Sequence, residues 1–143
     1  MIQYQLIGLK ERAILITAPE ENLTEFTIGW EFQFRMAFPN KEEVEIIIDA
    51  KVNIEGQTNS RPLVHLIVSH FFQVSDTRAL QKGSLKGASL NLTATLVGIS
   101  LGTVRGLAYA RSHSILGRDV FMPVVNPLKM VQEVFAKSET FSS

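Results

Sequence analysis

The clearest signal along the chain is a stretch of strict alternation. Trp30, Phe32, Phe34, Met36 and Phe38 fall on even positions, with Glu31, Gln33 and Arg35 between them. Period two sends successive side chains to opposite faces, so the segment predicts a strand with one buried and one wet face. Pro39-Asn40 supplies the turn after it. Residues 42–55 repeat the device: Val44, Ile46, Ile48, Ala50, Val52 and Ile54 face one way, and Glu43, Glu45, Asp49, Lys51 and Asn53 mostly the other. The run Glu55-Gly56-Gln57-Thr58-Asn59-Ser60 is a polar hairpin loop. Upstream, residues 2–18 alternate more loosely through Ile2, Tyr4, Leu6, Ile14 and Ile16, and predict a long first strand closed by Pro19. Gly8 near its middle marks a bend or bulge.

The fourth strand, Arg61 to Ser75, is apolar on both faces. Val64, Leu66, Val68 and Phe72 share one side, and Leu63, Ile67 and Phe71 the other. Such a strand is ordinarily covered on both sides, here by a loop or a second subunit. After a polar connector, Asp76 to Gly87, the period changes. From Ala88 to about Ser112 apolar residues recur at helical spacing, and Gly98, Gly102, Gly106 and Ala110 form one stripe. A helix-interior glycine costs about 1 kcal/mol against alanine. Three on one face therefore imply close approach of another backbone, or tight packing on the chain's own sheet. Ser114 to Asn126 reads as irregular. Asn126-Pro127 then opens a short amphipathic helix through Leu128, Val131, Val134 and Phe135, with asparagine as N-cap and proline at the first helical position. Residues 138–143 are expected to fray.

Composition narrows the function. The 143 residues fit one domain, and 45% apolar with 20% charged residues describe a packed globular chain. A formal net charge of zero gives no general attraction to phosphate backbones or anionic lipid, so neither nucleic acid nor membrane is the expected partner. The absence of cysteine excludes disulfides, thiolate catalysis and thiolate metal sites. The N-terminus lacks the pattern of a signal peptide. Ala88 to Ala110 is interrupted by Asn91, Thr93, Thr95, Ser100, Thr103 and Arg105, against the roughly 20 predominantly apolar residues of a membrane span. The expected compartment is the cytosol.

No catalytic constellation emerges. His65 and His70 lie five apart on a strand, on opposite faces, and cannot share a metal; His113 stands apart from both. Glu43 and Glu45 share a strand face, where they form either an acid/base pair or, the better reading, a solvated outer surface. The helical glycines lack the strand-to-helix setting of a phosphate loop, and no serine sits in a nucleophile elbow. No cofactor and no enzymatic activity are expected. What exceeds the needs of a small core is apolar supply: Phe71, Phe121, Met122, Val124 and Val125. They make either a partner surface or ordinary core.

Three segments resemble the SecB export chaperones. IQYQLIGLKERAILITAPE is similar to that family's first strand, with a mid-strand bend and a closing Ala18-Pro19. FFQVSD, Phe71 to Asp76, resembles the apolar-aromatic end of its fourth strand. LGTVRGLAYARSHSILGRDVFMPVVNPLKMV, Leu101 to Val131, resembles its long helix, its loop and a Pro-Val-Asn opening of its last helix. The resemblance implies a SecB-like α+β domain over residues 1–143: a four-stranded antiparallel sheet, a long helix, a crossover loop and a short C-terminal helix. It implies an ATP-independent holdase that binds unfolded or pre-secretory polypeptides in apolar grooves, and a homotetramer built as a dimer of dimers. Phe71, Tyr109, Phe121, Met122 and Val124 are its expected groove residues. Val64, Leu66, Val68, Gly98, Gly102 and Gly106 are its expected oligomer contacts. One departure stands out. Ala13, Thr17 and His65 occupy the positions of the family's acidic docking surface for the SecA motor, so SecA is a doubtful partner. A dedicated chaperone of one client, such as an antitoxin, needs no such surface. A hot-dog enzyme and a purely structural oligomerisation module are the readings from other classes. Hot-dog domains continue with strands after their central helix, which this chain does not.

Overall fold

The computed structural model describes residues 3–17, 28–54, 62–81, 87–116 and 123–141, of which 28, 79, 113–116 and 135–141 in backbone only. Strands β1 (Tyr4–Ile16), β2 (Ile28–Asn40), β3 (Glu43–Ile54) and β4 (Val64–Val74) are followed by a 3₁₀ turn (Arg78–Gln81), helix α1 (Ala88–Leu116) and helix α2 (Pro127–Phe141). The strands form one antiparallel sheet in the order β1-β4-β3-β2. The boundaries follow the period-two segments closely. Two ends differ: α1 runs on to Leu116, and α2 continues to Phe141 rather than fraying from residue 138. The expected 55–60 loop and the Ala18-Pro19 closure lie outside the described residues.

One face of the sheet carries the core. Val44, Ile46, Ile48, Ala50 and Val52 of β3 stand opposite Phe72, His70, Val68, Leu66 and Val64 of β4, and all ten are fully buried. Helix α1 packs on β3 and β4 with Leu96, Val97, Leu101, Val104 and Ala108. By length and hydropathy Ala88–Ser112 would suffice to cross a membrane, but this side of the helix is the core of the fold. Its buried hydroxyls are satisfied locally. Thr93, Ser100 and Ser112 donate to the carbonyls of Ser89, Leu96 and Ala108, four residues back. Gly87, at φ +57°, takes the left-handed turn before α1 that a side chain would strain.

β1 departs from a plain strand twice. Its pairing with β4 skips Ile7 between Leu6 and Gly8, and Arg12 between Glu11 and Ala13. The first shift is the bend that Gly8 predicts. Each bulge inverts the side-chain parity, so the residues facing the helix layer run Leu6, Leu9, Glu11 and Ile14.

α2 begins as Asn126-Pro127 predicts: the Asn126 side chain accepts the Lys129 amide at 3.2 Å, and its carbonyl accepts Met130 at 3.1 Å. The segment before it runs back along α1. Arg105 Nη2 lies 3.5 Å from the Pro123 carbonyl, and a Cβ built on Gly98 would stand 3.3 Å from Pro127 Cγ.

Candidate peptide-binding surface

Coverage of the helix-side face is uneven. α1 lies over the two central strands, so the edges receive less. On β2, Trp30, Phe32, Met36 and Phe38 pack against the core but remain partly open, whereas Phe34 is buried. Trp30 and Phe32 stack with centroids 5.5 Å apart at 12°, making a flat aromatic ledge. Trp30 Nε1 is buried with no hydrogen-bond partner among the described residues. On β1 the helix-side Leu6 and Leu9 are exposed, Leu9 at 49%, as are the bulged Ile7 and, on the outer face, Leu15. Among the described residues these side chains make extended apolar strips along the sheet. A polar cleft of about 340 Å³ at the end of the sheet, between Gln3, Gln5, Glu42 and Gln73, is of another kind.

The expected groove residues are not brought to one place. Phe71 stands in register between Gly8 and Glu45 on the face away from α1. Tyr109, 44% exposed, belongs to α1, and Val124, 86% exposed, to the segment running beside it. The sheet therefore separates Phe71 from the other two. Phe121, Met122 and His113 lie outside the residues whose side chains are described.

The expected oligomer contacts also divide. Val64, Leu66 and Val68 are covered by the chain's own core and leave nothing for a second subunit to bury. The period-two pattern on β4 put them on one face with Phe72, and that face is the inner one; the outward residues of the strand include His65, Ile67, Ser69 and Phe71. Gly98 receives Pro127 of the same chain. Gly102 and Gly106 are exposed, with open space where a Cβ would stand.

On the outer face the register gathers Ala13, Thr17 and His65 on neighbouring β1 and β4, as expected for a single surface. His65 Nε2 sits 2.9 Å from Asp49 Oδ1. Glu45 corrects the expectation of a solvated outer face. It is only 8% exposed, because the β1 bulge turns Arg12 over it: Arg12 Nη2 donates to Glu45 Oε2 at 2.8 Å, and Arg12 Nε to Ser69 Oγ at 2.5 Å. Burial opposes the Glu45 charge, but hydrogen bonds from Ser69 and Arg12, with the charges of Arg12 and Lys10, outweigh it and hold the carboxyl below its ordinary pKa. His70, by contrast, points into the core. Desolvation pushes its pKa below the ordinary value, hydrogen bonding to Ile46 and Val68 only partly offsets this, and Nε2 has no partner among the described residues. The two β4 histidines thus face opposite ways, as their spacing requires.

Solved structures share this arrangement at low identity. The SecB-like chaperone of Mycobacterium tuberculosis, in complex with a ChAD peptide from an antitoxin, superposes with a TM-score of 0.58 over 85% of this chain and 87% of that one, at 15% identity. A Streptococcus agalactiae protein of unknown function matches with a TM-score of 0.52 over 87% of this chain and 99% of that one, at 12% identity. No family model and no curated protein sequence matches the chain. The fold is SecB-like: a four-stranded antiparallel sheet, a long helix and a shorter one.

Proposed function

We propose that the protein is an ATP-independent holdase that binds apolar segments of unfolded polypeptides on the helix-side margin of its sheet. The observation that carries this reading is the partly open row Trp30, Phe32, Met36 and Phe38, flanking buried Phe34, along a sheet edge that among the described residues α1 does not cover, since it packs on β3 and β4. A row of apolar side chains left partly open along an edge fits a partner surface. Binding is then burial, at roughly 25 cal/mol per Å² of apolar area removed from water, and calls for no chemistry and no cofactor. Tyr109 and Val124 extend the surface across the helix layer.

The client is a single dedicated protein at least as readily as the unfolded pool. Two things favour the dedicated reading: the fold is shared with a chaperone seen with an antitoxin peptide, and Ala13, Thr17 and His65 make no acidic surface for a SecA-type motor. The assembly we propose is a cytoplasmic tetramer, a dimer of dimers, in which the uncharged stripe at Gly102 and Gly106 meets another chain.

Trp30 is the single tryptophan and reports directly on occupancy. A permanently unfolded polypeptide titrated into the protein should shift its fluorescence saturably. Replacing Phe32 and Met36 together by serine should weaken binding by about tenfold, equivalent to ~1.4 kcal/mol. A flat titration with several unrelated unfolded chains would remove the general holdase reading.

A further inference from the structure

We infer that Arg105 selects clients that carry an acidic residue within an apolar segment, an inference that rests on the holdase reading above. Arg12, Arg78 and Arg111 each hold a carboxylate, that of Glu45, Asp76 and Glu11 respectively. Arg35 stands exposed on the outer face of the sheet. Arg105 is of another kind. It is partly buried on α1, its Nε is shut off from solvent without a hydrogen-bond partner, and it makes no ion pair among the described residues. Its only hydrogen bond among those residues runs from Nη2 to the Pro123 carbonyl, at 3.5 Å too long to be firm. α1 itself contains no acidic residue to answer it. A guanidinium offers five donors in a planar fork that fits a carboxylate, and one held partly out of water gains most from an anion brought to it.

The surroundings say what else the partner carries. Arg111 marks the flank of α1 that faces β1, through its pair with Glu11. At about 100° per residue, buried Val104, Ala108 and Leu101 fall between Arg111 and Arg105, so Arg105 stands on the opposite flank, nearer β2. Tyr109, one turn on and 44% exposed, is its neighbour along that flank. Val124, 86% exposed, follows the Pro123 carbonyl that Arg105 approaches. Gly102, one turn back, leaves open space where a side chain would stand. The cation is therefore set among apolar side chains with room beside it. Its occupant is a client segment with one carboxylate flanked by apolar residues: the apolar side chains are buried against Tyr109 and Val124, and the carboxylate closes the fork. A neutral segment of the same shape would leave the guanidinium desolvated and unpaired, which makes an otherwise apolar surface selective.

The test uses two short soluble peptides, capped at both ends, built of leucine, valine and serine around a central glutamate in one and a central glutamine in the other. Binding to the full chain is read by calorimetry at low and at high salt. The glutamate peptide should bind about tenfold more tightly at low salt, as expected for a charge-assisted pair, and the gap should narrow as salt rises. In Arg105→Gln the two peptides should bind alike. Arg105→Glu should instead prefer a peptide with lysine at the central position, the charges having been exchanged. Thermal unfolding establishes that each variant is folded. Equal binding of the glutamate and glutamine peptides by the native chain, a comparison that needs no variant, would overturn the inference and leave the holdase reading standing. A preference that survives in folded Arg105→Gln would overturn it too, since the carboxylate would then be read elsewhere. Suppression of aggregation without binding of either peptide would likewise overturn it. Absence of both peptide binding and aggregation suppression would bring down the holdase reading itself, and this inference with it.

Discussion

Arg12 reaches from edge strand β1, across β4, to Glu45 on β3, with Nη2 2.8 Å from Oε2. It can do so because the bulge at Arg12 takes that residue out of the ladder. Its neighbour Glu11 leaves the strand on the other face and meets Arg111 of α1 at 3.2 Å. Two adjacent residues thus pin the edge strand from both sides.

Removing the outer tie leaves a mostly buried carboxylate without its cation. Arg12→Ala is expected to cost about 2 kcal/mol, less than for a fully buried pair because the guanidinium is part-exposed. Urea denaturation measures it. A loss below about 0.5 kcal/mol, the size of a surface substitution, would show that the pair does not anchor β1.

Acid should loosen the fold in two stages. His70 has a folded pKa below the ordinary value of 6.5, so the unfolded chain takes up the proton first and stability falls as pH drops below that value. Glu45 has a folded pKa below the ordinary value of 4.5; its contribution is present above that value and is lost as pH falls through the lower folded pKa. Both slopes have the same sign. Denaturation midpoints measured from pH 7 to pH 5 should decline in the native chain and flatten in His70→Gln. Equal slopes in the two proteins would exclude His70 as the source.

The glycine stripe divides by what stands over it. Gly102→Ala and Gly106→Ala place a methyl in open space and should each stabilise the isolated fold by about 1 kcal/mol through helix propensity. Gly98→Ala puts a Cβ 3.3 Å from Pro127 Cγ, so α2 must give way and the gain should be lost or reversed. Thermal unfolding of the three variants, with particle mass recorded alongside, separates the contributions. A lower mass for Gly102→Ala or Gly106→Ala, with the chain still folded, would place those glycines in an intersubunit contact.

The architecture was largely legible because its signals are local. Period two in β2 and β3, the change to helical spacing at Ala88, and the Asn126-Pro127 cap each depend on a few neighbouring residues. What escaped depends on strand order and register. Nothing near Arg12 announces a bulge, so the burial of Glu45 was not visible. Phe71 is apolar surplus in the sequence and Tyr109 joined it only through the resemblance, and which face α1 covers is a long-range outcome. The alternation on β4 did place Val64, Leu66 and Val68 with Phe72, on what proves to be the inner face; the resemblance alone moved them to a subunit contact. The ledge on β2 was read as buried because alternation does not say whether a strand is central or at an edge.

The most direct test of the holdase account is suppression of aggregation of an unfolded test protein without ATP, with light-scattering mass on the same sample. The account predicts suppression at near-stoichiometric ratio by a particle about four times the 16.0 kDa chain mass. A stable oligomer that leaves aggregation unchanged would contradict a general holdase and leave a dedicated single-client chaperone or a structural assembly module.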